Sequence, residues 1–139
     1  MVLAHQEITR EWWQRCQPHY DVFVSELVHR EAEQGDREAA RKRIAFLHGF
    51  PVLQITDDAR ELAELYARKI PLPRDAGADG LHLAIATWNR MDYLLTWNCR
   101  HIAGGLVRRR LPEINSEIGF VSPTICTPEE LLYENQGLD

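Results

Sequence analysis

The sequence predicts an α/β domain, a three-layer arrangement in which helices cover both faces of a parallel sheet. Three observations carry that prediction. Short apolar stretches recur along the chain, segments of helical periodicity separate them, and each stretch is apolar at consecutive positions rather than alternating. The 139 residues are enough for one real core, since a chain of this length buries roughly two thirds of its unfolded surface. A single domain spanning residues 1–139 is therefore expected.

The elements follow in order. Residues 5–17 place Ile8, Trp12, Trp13 and Cys16 at helical spacing, and Pro18 ends that amphipathic helix. Asp21 to Ser25 ("DVFVS") reads as a short buried strand, with Ser25 the N-cap of a helix that Gly35 closes. Asp36 can cap the next helix, on which Ala39, Ile44 and Leu47 form a modest apolar stripe. Pro51 to Ile55 ("PVLQI") is the second strand. The helix after it opens on capping residues and carries Ala59, Leu62, Ala63, Tyr66 and Ile70 on one face. A long helix runs from about Ala76 to Met91, with a stripe of Leu81, Ile85 and Trp88, and leads into a third strand, Asp92 to Thr96. Asn98 to Gly119 reads as loop and helix interrupted by Gly104 and Gly105. Pro123 to Thr127 is the fourth strand, and Pro128 followed by acids suits the start of a last helix.

Composition narrows the function. With 45% hydrophobic and 27% charged residues the chain is ordinary for a globular protein. No apolar run approaches the roughly 18 residues of a membrane span, and no apolar segment of a signal peptide stands near Met1, so a cytoplasmic location is expected. Cys16, Cys99 and Cys126 have no paired spacing, which argues for packed thiols rather than disulfides or a zinc site. A net charge of −5 lacks the basic footprint of a dedicated nucleic-acid-binding module. It is compatible with a nuclease, whose acidic cluster is negative until metal binds.

In a parallel α/β sheet, chemistry gathers where strands end and the following helices begin. Asp75, Asp79 and His82 stand there at i, i+4 and i+7 on one helical face, and two carboxylates so placed can hold a hard cation. Spacing alone favours a structural role: Asp75 as N-cap, Asp79 as a first-turn acid opposing the helix dipole. Glu31 shares its helix with Glu26 and Glu33, and a solvated face explains all three. Asn98 and His101 lie in a loop after a buried strand, a place where polar residues often act. Phosphate-binding glycine loops and a nucleophile elbow are absent from the sequence, and Cys99 with His101 is too close a pair to make a convincing nucleophile and base. The run Arg108 to Arg110 could touch phosphates, although a solvated surface explains it as well.

Three segments, "FVSELVHREAEQG", "ADGLHLAIATWNRMDYLLTWNCRHIAGG" and "PTICTPEELL", together resemble bacterial PIN-domain proteins related to the ribonuclease toxins of type II toxin-antitoxin pairs. The resemblance runs from about Ala4 onward. It implies a small parallel α/β nuclease in which acids from distant parts of the chain bind Mg2+ or Mn2+, and in which single-stranded RNA is cut by metal-activated water. Matched position by position, it implies Glu31 and Asp79 as metal ligands and Asn98 as a contact to the metal shell or the phosphate. Asp75 and His101 take supporting roles, Asp75 as a further metal ligand. His101 stands where many relatives carry another aspartate.

Relatives also begin with a strand that carries the first catalytic acid, and here Met1 stands where they are in the following loop. The resemblance thus implies a chain that lacks the central first strand, weak or no activity in this polypeptide, and homo-oligomerisation as one way to cover the inner strand edges. An antitoxin protein would be a partner. The competing expectation is a non-catalytic binding or assembly module with a partner groove beside the Trp12/Trp13 helix; exposed indoles would favour it and buried ones would count against it.

Overall fold

The structure, a computed structural model, describes residues 11, 13–15, 17–71, 77–96, 102 and 104–134. The chain divides into two compact units, one formed by Val22–Asn89 and the other by Met1–Asp21 together with Arg90–Asp139.

The contiguous unit contains β1 (Val24–Ser25), α1 (Glu26–Ala32), α2 (Arg37–Leu47), β2 (Val52–Leu53), α3 (Asp57–Lys69) and α4 (Gly77–Trp88). Each of the first three helices starts where a short polar side chain can accept a bond from an otherwise orphaned amide. Ser25 Oγ accepts from Val28 N at 3.1 Å, Asp36 Oδ2 from Ala39 N at 3.0 Å, and Thr56 Oγ1 from Ala59 N at 3.1 Å. Gly35 follows α1 with a φ of 83°, in the left-handed region that turns the chain toward α2. Strands β1 and β2 pair in parallel, Val24 opposite Val52 and Ser25 opposite Leu53.

The most extensive packing in this unit is α3 along α4. The α3 residues Ala59, Leu62 and Tyr66, with Ile70 just beyond, are buried as the sequence pattern predicts. On α4 the buried set is Gly80, Leu83, Ala84, Ile85, Ala86 and Thr87. That corrects the expected stripe of Leu81, Ile85 and Trp88, since Leu81 is half-buried and Trp88 is 37% exposed. A helix covered on most of its circumference has no single stripe for periodicity to find. On α2, similarly, Ala40 is the buried residue, while Ala39 and Leu47 are half-buried and Ile44 is exposed.

The second unit contains a short 3-10 turn at Gln17–His19, β3 (Tyr93–Leu95), α5 (Gly105–Glu117), β4 (Thr124–Cys126) and α6 (Pro128–Glu134). Glu11 and residues 13–15 have helical backbone, and Arg15 Nη1 donates to Glu11 Oε1 one turn away at 2.8 Å. Strands β3 and β4 pair in parallel, with Leu94 opposite Ile125. Gly104 and Gly105 do not interrupt α5 but open it, Gly104 taking the N-cap with extended backbone. Pro112 stands inside that helix. The buried residues include Ile102, Val107, Leu111, Ile114 and Ile125, and Cys126 is a packed thiol in contact with Leu131.

The start of α6 is a capping box that also receives an arginine. Glu130 N donates to Thr127 Oγ1 at 3.3 Å, and Thr127 N donates back to Glu130 Oε1 at 2.9 Å. Arg108 closes both carboxylate oxygens from α5, with Nη1 to Oε2 and Nη2 to Oε1 each at 2.9 Å. The Arg108 bond and then the Thr127 amide hold the Glu130 carboxyl at about 2, against an ordinary value of 4.5.

The parallel α/β class is thus borne out, with all four strands where the sequence puts them though only two or three residues long. Among the described residues the strands form two separate two-stranded ladders, β1 with β2 and β3 with β4. The strands are less buried than their sequences imply, Val52 and Tyr93 both being exposed. No helix among the described residues is long and apolar enough to cross a membrane.

Two predictions test these local devices. A Cβ added at Gly80 would lie 3.8 Å from the Ala63 carbonyl oxygen, an ordinary contact, whereas Gly35 has a φ of 83°. Gly80→Ala therefore raises stability by about 0.5 to 1 kcal/mol, and Gly35→Ala lowers it by about 1 to 2 kcal/mol, in urea titrations. Because the folded Glu130 carboxyl is depressed, its stabilising contribution is complete above 4.5 and disappears as pH falls toward about 2. Melting curves of wild type and Glu130→Gln should accordingly be separated near pH 6 and converge as pH falls to about 2. The carboxylate is half-exposed, so solvent screening keeps that separation modest.

Candidate functional site

The acids of the contiguous unit sort themselves by what they touch. Glu26 reaches from the first turn of α1 to accept from Ile55 N at 2.8 Å, which ties the start of α1 to the residues just after β2. Glu26 is therefore a structural acid. Glu33 is exposed at the C-cap of α1.

Glu31 behaves differently. Placed in the last turn of α1, it receives a hydrogen bond from His82 of α4, with Nε2 and Oε1 2.5 Å apart across 51 positions of sequence. The two ends differ in environment: the His82 side chain is 14% exposed and that of Glu31 47%. A largely covered imidazole thus meets a carboxylate that is still open to solvent. Asp79 lies in the first turn of the same helix, half-buried, one turn before His82. Its position also satisfies the dipole role that spacing alone favours.

Of the five residues assigned to a site from the sequence, Glu31 and Asp79 belong to this unit. Asp75, Asn98 and His101 lie outside the described residues. His82 was visible in the sequence only as a neighbour of Asp79 on one helix face. Its contact with Glu31 is long-range, and the sole local signal was the i, i+3 step from Asp79.

The donor chemistry suits Mg2+ or Mn2+, because Glu31 and Asp79 offer hard carboxylate oxygens and an imidazole stands beside one of them. Among the described residues no three His, Cys, Asp or Glu side chains converge to hold a metal ion. An open groove of about 540 Å³ adjoins Glu31, lined on α1 by Val28 and Ala32 and on α2 by Lys42, Arg43, Phe46 and Leu47. Phe46 is 52% exposed there. The Arg43 guanidinium is committed to the end of α1, donating to the Ala32 and Gln34 carbonyls at 3.2 and 2.5 Å.

Two of the three arginines in the run have acidic neighbours, and Arg109 between them is exposed. Arg108 is bonded to Glu130, and Arg110 Nε lies 3.9 Å from Glu113. Trp13 is half-buried and packs against the Cys126 and Leu131 cluster, and Trp12 lies outside the described residues. Comparison of the chain with protein-family models, with curated proteins and with solved structures found no match.

The division between structural and open acids gives an expected outcome. Glu26→Ala leaves the Ile55 amide without its acceptor and lowers stability by about 1 to 3 kcal/mol in chemical denaturation. Glu31→Gln retains the volume of a half-exposed side chain and changes stability by less than about 0.5 kcal/mol. Equal losses from the two substitutions would show that Glu31 is as structural as Glu26.

Proposed function

We propose that this chain is a PIN-like endoribonuclease domain that cleaves single-stranded RNA with Mg2+ or Mn2+, a relative of type II toxin-antitoxin toxins with low turnover as the isolated polypeptide. The observation that carries the reading is the Glu31 to His82 bond. It ties one acid singled out by the resemblance to the helical turn that follows the other, Asp79, in a single compact unit. The two parallel ladders, β1 with β2 and β3 with β4, support the parallel α/β part of the reading. A three-layer sandwich, an antitoxin partner and homo-oligomeric assembly are parts of the same proposal.

Under this reading Glu31 and Asp79 hold the cation, and Asp75, Asn98 and His101, which lie outside the described residues, keep the roles the resemblance implies, Asp75 as a further metal ligand. Bound there, the ion supplies Lewis-acid activation of water and neutralises charge on the scissile phosphate. Glu31 and Asp79 contribute anionic oxygens from two different helices, so the fold rather than one flexible loop sets their separation. Low turnover follows from the donor count. The resemblance matches neutral Asn98 and His101 at its remaining polar positions, and a hard cation is held more weakly as anionic ligands are lost.

The test is cleavage of a single-stranded oligoribonucleotide with Mn2+. Slow cutting is expected, and Glu31→Gln and Asp79→Asn each reduce it by more than the roughly 10- to 100-fold typical of losing an outer-shell partner. Cutting that persists in a chelator, or ignores both substitutions, would sink the reading.

One observation favours a second reading, a non-catalytic binding or assembly module. The groove beside Glu31 is lined mainly by Val28, Ala32, Phe46 and Leu47, a surface that suits an apolar partner segment. Absence of any Glu31-dependent cutting would leave the module as the better account.

A further inference from the structure

We propose that His82 is a positioning residue for Glu31: its Nε2–H donates to Oε1 and holds the carboxylate so that Oε2 is presented to a divalent cation. The proposal rests on the metal-dependent reading above and assigns a role to a residue which that reading leaves without one.

The argument is geometric. A glutamate on a solvent-facing helix end samples many rotamers, and fixing it for metal binding carries an entropic cost that few side chains exceed. Glu31, 47% exposed, is such a residue. His82 is the opposite, 14% exposed and followed on α4 by Leu83 and Ala84, both fully buried. Its ring is carried by the part of the unit that packing immobilises most, so it can serve as a fixed donor. The 2.5 Å bond uses one carboxylate oxygen and leaves the other for a ligand. Metal-binding carboxylates are commonly oriented by a hydrogen bond of this kind, and losing the partner typically weakens metal affinity by about 10- to 100-fold.

Asp79, one turn earlier on α4, stands on the same rigid support. A single packed helix thus carries one proposed ligand and positions the other. Because the donor comes from α4 and the acceptor from α1, the bond also fixes how these two helices meet at the site.

The experiment is Mn2+ titration of the full chain, followed by loss of the free-ion electron paramagnetic resonance signal, with thermal melts of every variant. His82→Ala is expected to weaken binding by about 10- to 100-fold, and His82→Gln, whose amide can donate to the same oxygen, stays within about threefold of wild type. If His82→Ala loses its cooperative melt, His82→Leu, which retains bulk without a donor, is read by the same criteria. Wild-type affinity in His82→Ala, while Glu31→Gln and Asp79→Asn bind weakly, would overturn the positioning role and leave the metal site standing. Nitrogen coupling to Mn2+ in wild type that disappears in His82→Gln would also overturn it, because His82 would then be a ligand. Failure of the wild type to bind, or indifference of binding to Glu31 and Asp79, would defeat the metal-dependent reading and this inference together.

Discussion

The close packing of α3 along α4 is the constraint from which the candidate site follows. Gly80 of α4 faces the α3 backbone, its Cβ position 3.8 Å from the Ala63 carbonyl oxygen, and Ala59 and Ala84 are fully buried on the two helices. The larger Leu62, Tyr66, Ile70 and Leu83 are buried on the same two helices and at the end of α3. Each such buried aliphatic contributes on the order of 1.5 to 3 kcal/mol through removal from water. The orientation of α4 is therefore set by its core face. Asp79 and His82 are placed as a by-product, on a helix whose rotation the core does not allow to vary.

In the other unit polar chemistry has a comparable role. Glu130 accepts from its own helix start and from Arg108 on α5, so one carboxylate completes the N-terminus of α6 and links two helices. Such a charge-assisted bidentate pair is directional in a way that apolar contact is not. It complements the packing of Cys126 and Leu131 nearby, which supplies burial without orientation.

How much of this was legible in the sequence depended on the range of the interaction responsible. The caps at Ser25, Asp36 and Thr56 were readable because N-cap chemistry acts over three residues. The strand positions were readable because four apolar stretches stand between helical patterns, although their pairing into two ladders required the fold. The apolar face of α4 was misread, since burial on most sides erases the periodicity on which a stripe depends. Gly104 and Gly105 looked like an interruption because glycine marks helix ends of either kind, and only the backbone says which. Among the acids, Glu26, Glu31 and Glu33 were indistinguishable by spacing. Their roles separate through Ile55 and His82, partners 29 and 51 positions away.

The division of the chain has a consequence for the order in which the protein is built. The unit of residues 22–89 is continuous, whereas the other is assembled from segments on either side of it. Closing an unstructured loop of that length costs on the order of 4 kcal/mol in chain entropy. A chain emerging from the ribosome presents the continuous unit whole before β3 and β4 have been synthesised, and domains generally fold as units in that order. Once α3 and α4 have packed, the intervening stretch is no longer a floppy loop but a compact body, which reduces the entropic penalty for the flanking segments. The continuous unit, which also carries the Glu31 and His82 pair, is thus complete in the growing chain before its flanking segments can be brought together.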